Sequence, residues 1–71
     1  MPKFELTKSI EARKLNPRTR IPLNDYVSIP FGGIIEDRQR EGTIEKFSYL
    51  GEFYQYPAHD LEAALAPVKS S

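Results

Sequence analysis

Apolar and polar positions alternate along the start of the chain. Phe4, Leu6, Ile10 and Ala12 share one parity, with Lys8 intruding, while Lys3, Glu5, Thr7, Ser9, Glu11 and Arg13 take the other. A helix would scatter the apolar residues around its axis, whereas a strand lines them along one face. The pattern predicts a β-strand over residues 3–14 that bends or breaks near Lys8-Ser9. Residues 15–24 contain Pro17 and Pro22, each of which fixes φ and lacks an amide donor. They predict an extended loop pinned by Leu15, Ile21 and Leu23.

From Tyr26 to Phe31 the alternation returns, with Val27, Ile29 and Phe31 on one side, and Pro30 places the strand at an edge or ends it there. Gly32-Gly33 suits a tight bend. Ile34-Ile35 resumes β character, residues 36–42 read as a charged connection, and a strand follows from Thr43 to Leu50. Gly51-Glu52 fits the tip of a type II′ hairpin. That register pairs Leu50 with Phe53, Tyr49 with Tyr54, Ser48 with Gln55 and Phe47 with Tyr56, gathering four aromatics on one face. After Pro57, residues 58–66 have helix-favouring composition, with Asp60 or Pro57 marking the start. Leu61 and Leu65 would close one end of the core, and Pro67 stops the helix. Residues 1–66 are expected to form one domain and 67–71 a flexible tail.

This pattern belongs to a mostly-β fold of about five short strands with a short C-terminal helical turn. Three segments carry a resemblance: Leu15-Asn16-Pro17-Arg18, Ile29-Pro30-Phe31-Gly32-Gly33-Ile34-Ile35, and Lys46-Phe47-Ser48-Tyr49-Leu50-Gly51-Glu52-Phe53-Tyr54. Together, over about residues 12–61, the chain resembles the bacterial SH3-like barrel domains. The resemblance implies a small SH3-like barrel. Cell-wall binding, the role of many such domains, is not carried over, because the chain has no tryptophan.

Composition narrows the function classes. Backbone and side-chain ordering costs roughly 1.5 kcal/mol per residue, and in a domain this small burial only just offsets it. Cysteine is absent, so neither a disulfide nor a thiolate metal site can reinforce the 71-residue chain. Ten basic and ten acidic side chains cancel, which argues against a dedicated binder of nucleic acid or anionic membranes. The first residues lack a hydrophobic signal core, and the expected location is cytoplasmic.

Candidate chemistry is sparse. His59 is the single histidine, with Asp60 beside it, and no nucleophile motif accompanies it. Glu36, Asp37 and Glu41 are interleaved with Arg38 and Arg40, as on a solvated hairpin tip. Gly32, Gly33, Gly42 and Gly51 lack the lysine and following helix of a phosphate loop. No enzyme activity, cofactor or metal is therefore expected.

Two groups remain as binding candidates. Tyr26, Tyr49, Tyr54 and Tyr56 could form an aromatic platform, although filling a small core is the plainer use of large side chains. Arg13, Lys14, Arg18 and Arg20 are the densest basic cluster and would carry the alternative reading, a small nucleic-acid-binding β-barrel. The leading expectation is a non-catalytic interaction or structural module whose partner is a protein or a second copy of itself. Self-association is expected through the strand Phe4–Ala12, whose amides and carbonyls would be open to another chain if nothing covers them.

Overall fold

The computed structural model describes residues 3–68. The elements run β1 (Phe4–Leu6), β2 (Ile10–Leu15), β3 (Pro22–Ile29), β4 (Ile34–Glu41), β5 (Ile44–Tyr49), β6 (Glu52–Pro57), α1 (Ala58–Ala63) and β7 (Leu65–Pro67). The fold is mostly β. All seven strands join one antiparallel sheet in the order β3-β2-β6-β5-β4-β1-β7.

The connection between β1 and β2 shapes this sheet. The two strands are separated by β6, β5 and β4 in the sheet order. In a flat sheet those four spacings would amount to about 19 Å. Only Thr7-Lys8-Ser9 joins the strands, and the step from Leu6 to Ile10 reaches at most about 14 Å. The sheet must curl. Its concave side encloses Leu6, Ile10, Ala12, Ile29, Ile35, Phe47 and Tyr54, and α1 contributes Leu61 as the chain turns toward β7. Among the described residues no ladder joins β3 to β7, so the sheet remains open.

The predicted first strand breaks at Thr7-Lys8-Ser9. Its two halves are interior strands: β1 lies between β4 and β7, and β2 between β3 and β6. Phe4–Ala12 is therefore not the open edge on which self-association was expected. The edges are β3 and β7.

Three further segments differ from expectation. The loop is shorter than residues 15–24, because Leu15 ends β2 and β3 already begins at Pro22, the position in a strand that proline tolerates best. Asn16 turns the chain, its Oδ1 accepting from the amides of Arg18 (2.8 Å) and Thr19 (3.2 Å). Leu15 is buried and Leu23 half-buried, but Ile21 is exposed and pins nothing. At the next turn, Gly33 N–H donates to Pro30 O and Gly32 takes φ 85°, leaving Phe31 outside the core.

The charged stretch 36–42 is strand rather than connection, and only Gly42-Thr43 turns. Arg38 reaches inward, pairs with the carboxylate of Glu45 on β5, and lies over the Phe4 ring. Glu45 is only 3% exposed, so this acid is affordable in the core because a guanidinium meets it. Asp37, at φ 53°, sits in the irregularity that separates the Glu36–Ser48 and Gln39–Lys46 pairs.

The last hairpin is two residues out of the predicted register. Tyr49 pairs with Glu52, Ser48 with Phe53 and Phe47 with Tyr54. The tip is Leu50-Gly51, with φ of 51° and 81°, a type I′ arrangement rather than II′. A two-residue shift preserves side-chain parity, so Phe47, Tyr49, Tyr54 and Tyr56 still share one face. Finally, the helix covers only Ala58–Ala63, because Leu65–Pro67 pair with β1. The expected tail thus includes a strand residue, Pro67, and Val68 N–H donates to Lys3 O. Residues 69–71 lie outside the described residues.

Candidate interaction face

Residues directly opposite one another in a ladder project to the same side of the sheet. Tyr26 of β3 is opposite Arg13 of β2, Arg13 is opposite Gln55 of β6, Gln55 is opposite Lys46 of β5, and Lys46 is opposite Gln39 of β4. These five side chains form a transverse row across five strands. Lys46 and Gln55 neighbour the core residues Phe47 and Tyr54 in sequence, so the row occupies the opposite, convex side.

A hollow lies on either side of the row. The smaller, about 240 Å³, is walled by Tyr26, Tyr56, Ile44 and Pro57, with Gln55 and Arg13 supplying polar groups. The larger, about 390 Å³, has Leu15, Phe47 and Phe53 as its apolar lining and Arg20, Lys46 and Asp37 among its polar groups. Arg20, itself at φ 61°, stacks its guanidinium over Phe53 at 3.4 Å from the ring centre, which folds the 16–21 turn onto this wall. Lys46 Nζ is 2.6 Å from the Glu41 carboxylate. Positive and negative groups therefore both line the larger hollow.

The four candidate tyrosines separate into two pairs. Tyr26 and Tyr56 both line the smaller hollow, Tyr26 from the convex row and Tyr56 from the core-facing side of β6, where it lies opposite Glu45. Tyr49 and Tyr54 face the core, their ring centres 6.4 Å apart, and Tyr54 stacks on Phe47 at 6.0 Å. The Tyr54 hydroxyl donates to Glu52 at 3.1 Å, and Lys14 Nζ lies 3.2 Å from the other oxygen of that carboxylate. Burial, then the hydrogen bond to Glu52, pushes the Tyr54 phenol above its ordinary range. The Lys14 ammonium, then Tyr54, holds the Glu52 carboxyl below its own. A platform of four tyrosines does not form.

The basic cluster is divided as well. Arg13 and Lys14 are consecutive strand residues and point to opposite sides. Arg13 Nε donates to Leu23 O at 2.7 Å and its guanidinium lies 5.8 Å from the Tyr26 ring. With Lys14 on Glu52 and Arg20 on Phe53, Arg18 is the member whose side chain has no ionic or ring partner among the described residues.

His59 is exposed on α1, while Asp37 and Glu41 line the larger hollow beside Arg20 and Lys46. Among the described residues no group of three or more His, Asp or Glu could hold a metal ion. No helix among them is long and apolar enough to cross a membrane. Sequence reading missed Gln39, Lys46, Phe53 and Gln55: the β4–β5 ladder brings Gln39 beside Lys46, the β2–β6 ladder brings Gln55 beside Arg13, and the 16–21 turn sets Arg20 on Phe53.

Comparison of the chain with family models, curated proteins and solved structures finds no match.

Proposed function

We propose that this domain is a non-catalytic interaction module, built as a small SH3-like barrel, whose convex face receives an extended segment of a partner protein. The barrel reading is supported by the curl that the β1–β2 link imposes and by the helical turn between β6 and β7. The observation that carries the binding reading is the Tyr26–Arg13–Gln55–Lys46–Gln39 row with a hollow on each side.

An extended peptide places alternate side chains about 7 Å apart, a geometry suited to neighbouring hollows. The Tyr26–Tyr56–Pro57 hollow suits an apolar side chain. The larger one, with Arg20 and Lys46 near Asp37 and Glu41, suits a polar one. Gln55 and Gln39 supply amides that can donate and accept along the peptide backbone. The nucleic-acid reading is weakened because Arg13, Lys14 and Arg20 are engaged within the domain.

Selection from a random-peptide library, followed by amide chemical-shift mapping of a selected peptide, tests the proposal. Shifts should cluster at Ile44, Lys46, Gln55 and Tyr56, and Gln55→Arg should weaken binding at least tenfold while leaving the melting temperature near wild type. Shifts confined to another surface, or a library that yields no binder, would overturn it. Stronger, salt-dependent binding of single-stranded oligonucleotide would move the assignment to nucleic acid.

A further inference from the structure

The two ends of the sheet are unequal. β7 has three residues and ends in proline, a poor template for a further strand. β3 has eight residues, is hydrogen-bonded on one side only among the described residues, and exposes Pro22, Asn24, Asp25, Tyr26 and Ser28. Its deterrents to pairing are Pro22 at the very start and one charge, Asp25. The stretch from Asn24 to Ile29 contains no proline, lysine or arginine.

We propose that β3 pairs antiparallel with β3 of a second copy, about a two-fold axis at Tyr26. Symmetry restricts the possible registers. An axis relating two antiparallel edge strands in one sheet must stand perpendicular to that sheet, so it keeps each side chain on its own face. Cross-strand neighbours share a face, which requires residues of like parity to pair and the axis to pass through a residue rather than between two. Asn24, Asp25, Tyr26 and Val27 are the central choices.

An axis at Asp25 sets two carboxylates directly opposite each other, a destabilising pair. An axis at Val27 sets Asp25 against Ile29, which is buried, and shortens the overlap. An axis at Asn24 also shortens it; Asp25 has an apolar neighbour in the Asn24, Tyr26 and Val27 registers alike, so the length of the overlap decides among them. An axis at Tyr26 overlaps the whole of Leu23–Ile29. Leu23 then meets Ile29, Asn24 meets Ser28, Asp25 meets Val27, and Tyr26 meets Tyr26 of the second copy. Apolar lies against apolar at the ends of the inner row, polar lies against polar on the outer row, and no like charges face each other.

The tyrosine pair also accounts for an exposed aromatic. Tyr26 is 53% exposed on an edge, and in the dimer its ring is covered by its mate. The transverse row then continues through the axis into the second copy, and the two smaller hollows flank the joint. Tyr26 also walls the smaller hollow, so its variants bear on both proposals, whereas Gln55→Arg, on β6 and away from the β3 edge, bears on the peptide-binding face alone.

Because the chain has no cysteine, single-cysteine variants read the register cleanly. Opposed Cα atoms in an antiparallel pair lie about 4.5–5.5 Å apart, within disulfide range. Tyr26→Cys should oxidise to a covalent dimer much faster than a turn control, Thr19→Cys. Asp25→Cys mixed with Val27→Cys should cross-link as a heterodimer in preference to either homodimer. Equal rates for Tyr26→Cys and Thr19→Cys would overturn the proposal, as would Asp25→Cys preferring itself. Sedimentation supplies a second readout. Wild type should dimerise with rising concentration, Tyr26→Glu and Tyr26→Lys should each remain monomeric, and their equimolar mixture should dimerise. Wild type that stays monomeric at millimolar concentration refutes the interface.

Discussion

Replacing Leu50 by asparagine should make this domain more stable, because of where the hairpin turns. Tyr49 pairs with Glu52, so Leu50 and Gly51 are the two tip residues, both at positive φ. Glycine accepts that conformation without penalty. For a side chain such as leucine, the contact of Cβ with the following carbonyl costs roughly 1–2 kcal/mol. Asparagine relieves part of this through local hydrogen bonds and is the preferred residue before glycine in a type I′ turn. Little is lost in exchange, since Leu50 is 83% exposed. Burying a whole leucine contributes about 1.5–3 kcal/mol, so the covered sixth is worth only about 0.3–0.5 kcal/mol. The net gain is about 0.5–1 kcal/mol, and for a chain this size that raises Tm by about 2–8 °C.

Thermal unfolding followed by circular dichroism reads the difference, with Leu50→Gly as a near-neutral control. Glycine relieves the strain but gives about as much back by enlarging the unfolded ensemble. The sign separates two registers. With Gly51-Glu52 at the tip, Leu50 would be a strand residue beside Phe53, and asparagine, a poor strand former, would lower Tm. A Leu50→Asn protein that melts at or below wild type therefore refutes the Leu50-Gly51 turn and the face derived from its register.

Other perturbations test the core. A Cβ at Gly33 would lie 2.9 Å from Ile29 Cγ2 and 3.1 Å from both Pro30 O and Tyr49 Cε1. Gly33→Ala should consequently cost about 1–3 kcal/mol in chemical denaturation, and an unchanged midpoint would contradict that packing. Arg38→Met leaves the Glu45 carboxylate buried without its partner and should cost about 3 kcal/mol, reduced somewhat by the partial exposure of Arg38. Arg38→Met/Glu45→Met should recover most of that loss; a double variant as weak as the single one would count against the ion pair as the cause. Two pH arms follow from the Lys14–Glu52–Tyr54 chain. Since Glu52 is lowered in the fold, its contribution is present above about pH 4.5 and is lost as pH falls through the folded value. Since Tyr54 is raised, stability should decline as pH climbs above 10.0, the ordinary phenol value. Tyr54→Phe should flatten the alkaline arm, and a wild-type profile already flat there would contradict the hydrogen-bonded phenol.

Much of the fold was legible because it is written in alternation. The inward parity of Leu6, Ile10 and Ala12, the break beside Lys8, Val27 and Ile29 on one side, and the helical turn after Pro57 all follow from neighbouring residues. The hairpin register was not legible, since Gly51 suits either tip position and both registers keep the same four aromatics together. β4 was hidden because its inward cation is neutralised by Glu45, several residues further along, so the strand reads as a solvated run. The site was least visible of all. Arg13 and Gln55 are neighbours only because β2 lies beside β6, and nothing local to either residue announces that pairing.

The pairing of β1 with β7 bears on how the chain reaches its native state. These strands come from opposite ends of the described sequence, and Val68 N–H reaches Lys3 O. A contact that closes so long a loop carries a large entropic cost before any return, which places the domain among slow, non-local folders on the millisecond-to-second scale. During synthesis β1 emerges first and waits for its outer neighbour until β7 has left the ribosome. For that interval Phe4–Leu6 can template association with other nascent chains, so aggregation should depend on translation speed near the last strand as well as on the stability of the finished fold.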